Sequence, residues 1–508
     1  MNILLINPPR LYHKGSILLR STAPLGLAYI AGALKNVGHE VTILDAIAEA
    51  PYQISDFCAE ITQHGLTNQE VVDRVCVSYD MIGMSCMFTD NWLSNRELLA
   101  MLKAKFPDTK LVIGGEHASA TAQFCLEQVP GLDAVIIGEG EETITALSHA
   151  YTQNSSLTTV EGIAYKNKQL EILTNKTKTR IRQLDTITWP AWEIFPLKTY
   201  FEHGFSYGID YGYSLPVMAT RGCPYECTFC SSPQMWGTKY SMRSPEDMFN
   251  EIRFLYNTYG ATNFDFYDLT AIINRRWIIE FSKLIINSNL NITWQIPAGT
   301  RSESIDDEVS KYLFLSGCKN ITYAPESGSQ RVLDAIGKKV TPDKMIKSIV
   351  SSYKNGLNIK LNMIMGFPGE THSDVIKTLL FMVRATWHGA HDAAPAIFSP
   401  YPGSELFEQL SNQGNVNLYD DSYLINIIKG ATYFSNPVYN QSMHKNWVRF
   451  YAVFGIVLFY TCSYLFKPMR FFKTIRNMIT NKHESRAEIN LAEFFKRFRK
   501  FRKTVTPD

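Results

Sequence analysis

Between residues 2 and 150, short apolar runs alternate with segments of helix length. They are NILLINPP (2–9), a helix near 24–37, EVTILDA (40–46), MIGMSCM (81–87), a helix near 92–105, KLVIGG (110–115), a helix near 119–129 and DAVIIGEGEET (133–143). A helical crossover returns the chain to the edge where the previous strand began, so this alternation predicts a parallel sheet covered on both faces. Ligands of such sheets bind beyond the carboxyl ends of the strands, where Gly114, Gly115, Gly138 and Gly140 fall. A missing side chain there serves either a close-lying ligand or a tight strand-to-helix turn, and the residues alone leave both readings open.

A second alternation follows a mixed stretch. Residues 151–205 hold a hairpin pattern, GIAYKNKQLEIL (162–173), and a proline-marked connection, TWPAWEIFP (188–196), and read as a linker. Strand patterns then recur at PVMAT (216–220), NFDFYD (263–268), ITWQIPA (292–298), NITYAPES (320–327), IKLNMIMGFPGE (359–370) and APAIFSPYPG (394–403). Helices are expected between them, near 245–259, 275–287, 306–316, 342–355 and 372–387. Six strands with intervening helices predict a partial (β/α)6 barrel whose functional groups gather on the loops after the strands. The fold class is therefore α/β. A Rossmann-like domain is expected over 1–150, a linker over 151–205, the partial barrel over 206–410, and a mostly helical region with a basic tail over 411–508.

Of the 508 residues 45% are apolar and 19% charged, which excludes a disordered or fibrous chain. Residues 467–508 hold 12 Lys/Arg against 4 Asp/Glu, and the rest of the chain is net acidic, so no nucleic-acid partner is expected. The opening MNILLINPP has no basic n-region and no small-residue cleavage site, and reads as a first strand of a cytoplasmic protein rather than a signal peptide. Residues 450–466 carry no charge for 17 residues, short of the roughly 20 that a spanning helix needs. They are expected to form a buried helix over the barrel mouth. In 469–503, Phe471, Phe472 and Ile475 interleave with Lys473 and Arg476, a pattern expected to make peripheral contact with the inner face of a membrane.

Nine cysteines in so long a chain do not make a disulfide framework, yet three of them crowd into RGCPYECTFCSSP (221–233). Cys223, Cys227 and Cys230 are spaced C-x3-C-x2-C after the first barrel strand. A structural zinc site wants a fourth ligand close by, whereas the next cysteine, Cys318, lies 88 residues on. Three thiolates can hold three irons of a 4Fe–4S cube and leave the fourth open to a chelating amine and carboxylate.

This spacing, with the aromatic Phe229 just before the third cysteine, resembles the radical S-adenosylmethionine (radical SAM) superfamily. The resemblance implies that the open iron binds S-adenosylmethionine and that its reductive cleavage yields a 5′-deoxyadenosyl radical, with Phe229 near the adenine. Further strand ends look similar to the family's polar positions. Asp268 in FDFYDLTA stands where relatives place an acidic group against the amine, though many have two acidic residues in a row there. Arg301 in AGTRSES, and Glu326 with Ser327 in APESGSQ, resemble groups on the cosubstrate side, and Gly366 in IMGFPGET resembles the glycine strand end at the adenine.

A parallel domain ahead of such a barrel resembles the cobalamin-binding domain of cobalamin-dependent radical SAM enzymes. There a Ser-x-Leu signature precedes a Gly-Gly pair and both border the cofactor's nucleotide tail. Here Ser85-Cys86-Met87 is followed by 26 residues and then Gly114-Gly115. The Asp-x-His-x-x-Gly loop that supplies a lower axial imidazole in many carriers is absent, and His13 lacks the Asp two residues before it. Cobalamin without a histidine ligand is expected. His117 in GGEHASA and Glu139 in IIGEGEE look like residues that border the corrin or its tail, and Gly138 and Gly140 flank the second of these.

Together the resemblances imply an enzyme using a 4Fe–4S cluster, S-adenosylmethionine and cobalamin. The expected activity is methyl transfer to an unactivated carbon, or phosphorus, of a small-molecule or lipid-like substrate, with a flavodoxin or ferredoxin as electron donor. A cyclase or rearrangement catalyst built from the same parts is the alternative, and a non-catalytic cobalamin or iron–sulfur sensor the alternative of another class.

Overall fold

The structure, a computed structural model, describes residues 1–16, 21–301, 304–430 and 432–492. Part of the basic tail, residues 493–508, therefore lies outside the described residues. Seven strands form the first sheet: β1 (Asn2–Asn7), β2 (Glu40–Asp45), β3 (Met81–Ser85), β4 (Lys110–Gly114), β5 (Ala134–Ile136), β6 (Ile163–Lys166) and β7 (Ile172–Thr174). Their order is β7-β6-β5-β4-β3-β1-β2, parallel except for β6 and β7. Ile3, Leu4, Leu5 and Ile6 are consecutive and all buried, as a strand covered on both faces requires. The chain leaves β1 toward one edge and returns to build the other, so β1 and β3 flank a switch point where their carboxyl ends part.

Two features depart from the sequence reading. The hairpin in 162–173 is not free connecting chain: β6 pairs antiparallel with β5 and extends the first sheet beyond residue 150. A separate antiparallel sheet, Arg10–His13, Ile54–Cys58 and Ile61–His64, also carries no clear sequence signal. Its strands are short and mix polar with apolar residues, so no continuous apolar run marks them.

The second sheet contains β8 (Ser214–Val217), β9 (Asn263–Phe266), β10 (Thr293–Thr300), β11 (Cys318–Glu326), β12 (Asn358–Met365) and β13 (Asp392–Ile397), parallel and in strict chain order. The ladder slips near the carboxyl ends of β10 and β11, and Glu326 adopts φ +63°. After each slip the pairing resumes in a shifted register, Thr300 opposite Tyr323 and Glu326 opposite Met363. Local signals hold the intervening helices: Pro245 opens helix Pro245–Tyr259, Ser244 caps it by accepting from the Asp247 N–H, and Gly260 at φ +70° closes it.

The C-terminal region is helical, but the expected buried helix is only partly buried. Helix Lys445–Phe466 buries Val448, Ala452, Gly455, Phe459 and Ser463, a single stripe set against helix His372–Trp387 and β13. Phe450, Phe454, Val457 and Leu465 on its other side are exposed. The uncharged run spans a whole helix while the barrel offers contact to one face only.

Candidate functional site

The carboxyl ends of the first sheet face the carboxyl ends of β8 and β9 across a large, open cavity. Ser85 ends β3 and is in register with Gly114 on β4, so the two signatures separated by 26 residues meet at adjacent strand ends. Gly115 sits at φ +125°, and a Cβ there would lie 2.6 Å from the Cys86 carbonyl oxygen. Gly114 has only Ile136 at 3.6 Å beside its missing side chain, so what it keeps open is the cavity wall. Gly138, at φ +83°, donates its N–H to Ser119 Oγ at 3.0 Å, and with Gly140 it continues the wall. A flat wall of glycines with a small hydroxyl beside it fits the tail and ring of a cobalamin.

His117 is placed elsewhere. It is buried outside the cavity lining, with Nδ1 3.0 Å from Thr89 Oγ1 and its ring packed against Trp92 and Phe124. Burial lowers its pKa to about 3, so it serves as a neutral core group. His13 lies on the small antiparallel sheet and is not part of the lining either.

Met218, Thr220, Arg221, Tyr267 and Leu269 supply the opposite wall. The cluster loop starts there. Cys223, Cys227 and Cys230 are free and half-buried, and the Cys230 N–H donates to the Cys227 carbonyl at 3.0 Å. Burial pushes the Cys227 and Cys230 thiols up, and the charge of another cysteine of the triad adds to each shift. Among the described residues no His, Cys, Asp or Glu trio is drawn tight enough for a single ion. Three thiolates spread around one loop fit three corners of a cube, each sulfur taking its own iron.

Glu139, together with Arg221, Glu141 and Glu116, which were not singled out in the sequence, fastens this loop to its neighbours. Glu139 and Glu141 of the first unit accept from Arg221, Nη1 to Glu139 at 3.0 Å and Nη2 to Glu141 at 2.5 Å. Burial pushes the Glu141 carboxyl up, but the Arg221 guanidinium outweighs it and holds the group below the usual range. Glu139 also takes Arg180 Nε at 3.3 Å and the Ile181 N–H at 2.9 Å. At the far end of the loop Ser231 Oγ donates to Glu116 at 2.7 Å. Carboxylates of the first unit thus hold both ends of the segment that carries the cysteines. Arg221 stands beside Gly222-Cys223 in the sequence, but only long-range packing reveals its partners.

On the cosubstrate side, Phe229 packs against Phe367 with ring centres 5.5 Å apart, beside Gly366 at φ +86°. Arg301 lies over the Tyr225 ring at 3.5 Å and donates to the Lys339 carbonyl at 2.6 Å. Glu326 accepts from Lys338 Nζ at 2.9 Å, and the charge of Lys338 also acts on Cys227. Lys338, in GKK (337–339), is a further charged group at the cluster loop; its signal is the Gly337 turn, whose missing Cβ faces the Glu226 carbonyl oxygen at 3.0 Å. Asp268 and Ser327 are fully buried and already engaged. Asp268 accepts from Thr220 Oγ1 and the Ala219 N–H, and burial raises its pKa to about 6. Ser327 Oγ lies 3.0 Å from Thr378 Oγ1 and accepts from the Ser329 N–H at 3.1 Å. Both hold the strand ends in shape.

Comparison with known proteins matches residues 20–148 to the B12 binding domain and residues 217–382 to the radical SAM superfamily. The chain is 28% identical over 454 residues to an uncharacterized methyltransferase of Pyrococcus horikoshii, covering 89% of this chain and 92% of that protein. It is 29% identical over 464 residues to the cytidylyl-2-hydroxyethylphosphonate methyltransferase of Streptomyces wedmorensis, covering 84% and 85%. Its fold is similar to that of the radical S-adenosylmethionine methyltransferase TsrM from Kitasatospora setae, solved with cobalamin and a 4Fe–4S cluster bound. That similarity has a TM-score of 0.65 at 16% identity and covers 81% of this chain and 75% of that one.

Proposed function

Because the chain belongs to the cobalamin-dependent radical SAM enzymes, with cobalamin and a 4Fe–4S cluster with S-adenosylmethionine as its cofactors, we propose that it is a methyltransferase. It would act on an unactivated carbon or phosphorus of a small-molecule or lipid-like substrate. The observation that carries this reading is the single cavity closed by glycine strand ends on one side and by the approach to the cysteine loop on the other. A methyl carrier on one wall and a radical source on the other can reach one substrate only in such a space. The names of the two relatives, both methyltransferases, support the same reading.

When bound, the cofactors supply the electron, the radical and the transferable methyl group. The chain's own residues bind, orient and exclude water. Ser85, Gly114, Gly115, Gly138 and Gly140 would seat the cobalamin, and Glu139 would border it while holding Arg221. Cys223, Cys227 and Cys230 would hold three irons. Phe229 and Gly366 would bracket the adenine, with Arg301 and Glu326 on the methionine and ribose side and Asp268 and Ser327 shaping that pocket. A flavodoxin or ferredoxin in the cytoplasm would deliver the electron.

The test is anaerobic incubation of the reconstituted protein with S-adenosylmethionine, a one-electron reductant and a cell extract as substrate source. Accumulation of both S-adenosylhomocysteine and 5′-deoxyadenosine beyond one equivalent is expected. Deoxyadenosine alone would favour the cyclase or rearrangement reading, and neither product would remove catalysis altogether.

A further inference from the structure

Three helices leave a continuous apolar face without a partner. On helix Lys445–Phe466 the exposed residues Phe450, Phe454, Val457 and Leu465 lie opposite the buried stripe. Helix Pro468–Thr480 buries only Asn477 and exposes Met469, Phe472, Ile475 and Ile479 at helical spacing. Helix His372–Trp387 adds Ile376, Leu380 and Trp387. Ring contacts join the helices, Trp387 meeting Phe466 at 5.1 Å and Tyr464 meeting Phe471 at 5.6 Å, while Trp447 runs through Phe450 to Phe454 at 5.7 and 5.5 Å along one of them. An unbroken apolar patch of this kind on a folded chain marks a surface made to be covered.

Its charge indicates the partner. Residues 445–482 contain seven Lys/Arg and no Asp or Glu. Arg449 and Arg470 are spent on carbonyls of Asn436, Gly389 and Ala390, and Lys473 on Glu484. Lys445, Arg476 and Lys482 have no carboxylate partner among the described residues. Cations free of acidic neighbours, set among exposed aromatic and aliphatic side chains, complement a layer of anionic headgroups over acyl chains.

We propose that this three-helix face docks the protein onto the surface of an anionic lipid bilayer. Helix Lys445–Phe466 is long enough to cross a membrane, but it does not do so here. Val448 packs on Gly366 and Gly455 on Leu379 and Met365, so the barrel holds the helix along its side. Helices Lys445–Phe466 and Pro468–Thr480 both lie in the interface, with Phe472 and Ile479 of the second below the headgroups and its Arg476, and Lys482 just after it, reaching up among them. The proposal is independent of the reaction catalysed.

The test is co-sedimentation of the full cofactor-loaded protein with vesicles of phosphatidylcholine alone and with vesicles containing phosphatidylglycerol. Binding to the anionic vesicles is expected, weakened at least about tenfold by high salt, by Phe472→Ser with Ile479→Ser, and by Arg476→Glu with Lys482→Glu. All four positions are exposed or half-exposed, so cluster and cobalamin absorbance and the melting temperature should not change. Failure to bind either vesicle, or binding indifferent to both double variants, overturns the proposal. It is also overturned if the variants instead abolish a concentration-dependent dimer in sedimentation, because the face would then join two copies of the chain.

Discussion

At the residue scale, two buried groups carry measurable consequences. Glu370 accepts from the Gly366 N–H with one carboxyl oxygen and leaves the other buried without a partner, and burial raises its pKa to about 7. A carboxyl raised in the fold stays protonated there while the unfolded chain releases its proton, so stability is full below pH 4.5 and falls as pH rises to about 7. Glu370→Gln should remove that slope and raise stability at neutral pH by up to about 3 kcal/mol, read from melting temperatures across pH. Arg221 makes the opposite case. Arg221→Gln strands two buried carboxylates and should cost about 3–5 kcal/mol, together with a loss of iron from the loop it anchors. Adding Glu141→Gln should recover part of the stability, and no recovery would show that the pair is not coupled. Sequence spacing located Cys223, Cys227 and Cys230, because all three lie on one loop. It could not tell His117 from Glu139: both follow strand ends, yet one turns into the core and the other into an ion pair with the second unit.

At the element scale, the strand-to-helix turns separate fold from binding. Gly115→Ala forces an ordinary side chain into φ +125° against the Cys86 carbonyl and should cost about 1–3 kcal/mol in addition to weakening cobalamin binding. Gly114→Ala meets only ordinary contact at 3.6 Å, so melting should barely move while cobalamin affinity, followed by absorbance titration, still falls. Equal losses of stability in the two variants would contradict this division. Helices and long strands were legible from their periodicity. The strands Arg10–His13, Ile54–Cys58 and Ile61–His64 were not, since four or five residues of mixed polarity leave too short a pattern to distinguish from a loop.

At the scale of the whole molecule, polar contacts tie the first unit to later parts of the chain around the cavity. The Arg221 cluster, the Tyr200 hydroxyl bound to Asp45 at 2.6 Å and the two bonds of Arg96 to Asp421 all cross between the first unit and later parts of the chain. Added cobalamin should therefore slow amide exchange on both walls, around residues 114–115 and 138–140 and also around 218–222 and 267–269. At a hundredfold excess over its dissociation constant it should stabilise the fold by about 2.7 kcal/mol. Protection confined to the first unit would mean that the second contributes no wall.

The amino-acid order by itself determined the two alternating α/β series, the cysteine triad and the Ser85 to Gly114 spacing, because periodicity and short loops bring together residues that are near in sequence. Tertiary structure alone decided which polar groups face the cavity and which are spent within the core, as with Asp268 and Ser327. It also decided which face of helix Lys445–Phe466 remains uncovered. Those outcomes depend on contacts between segments far apart in the chain, and a side chain's direction is settled only when the distant surface it packs against is in place.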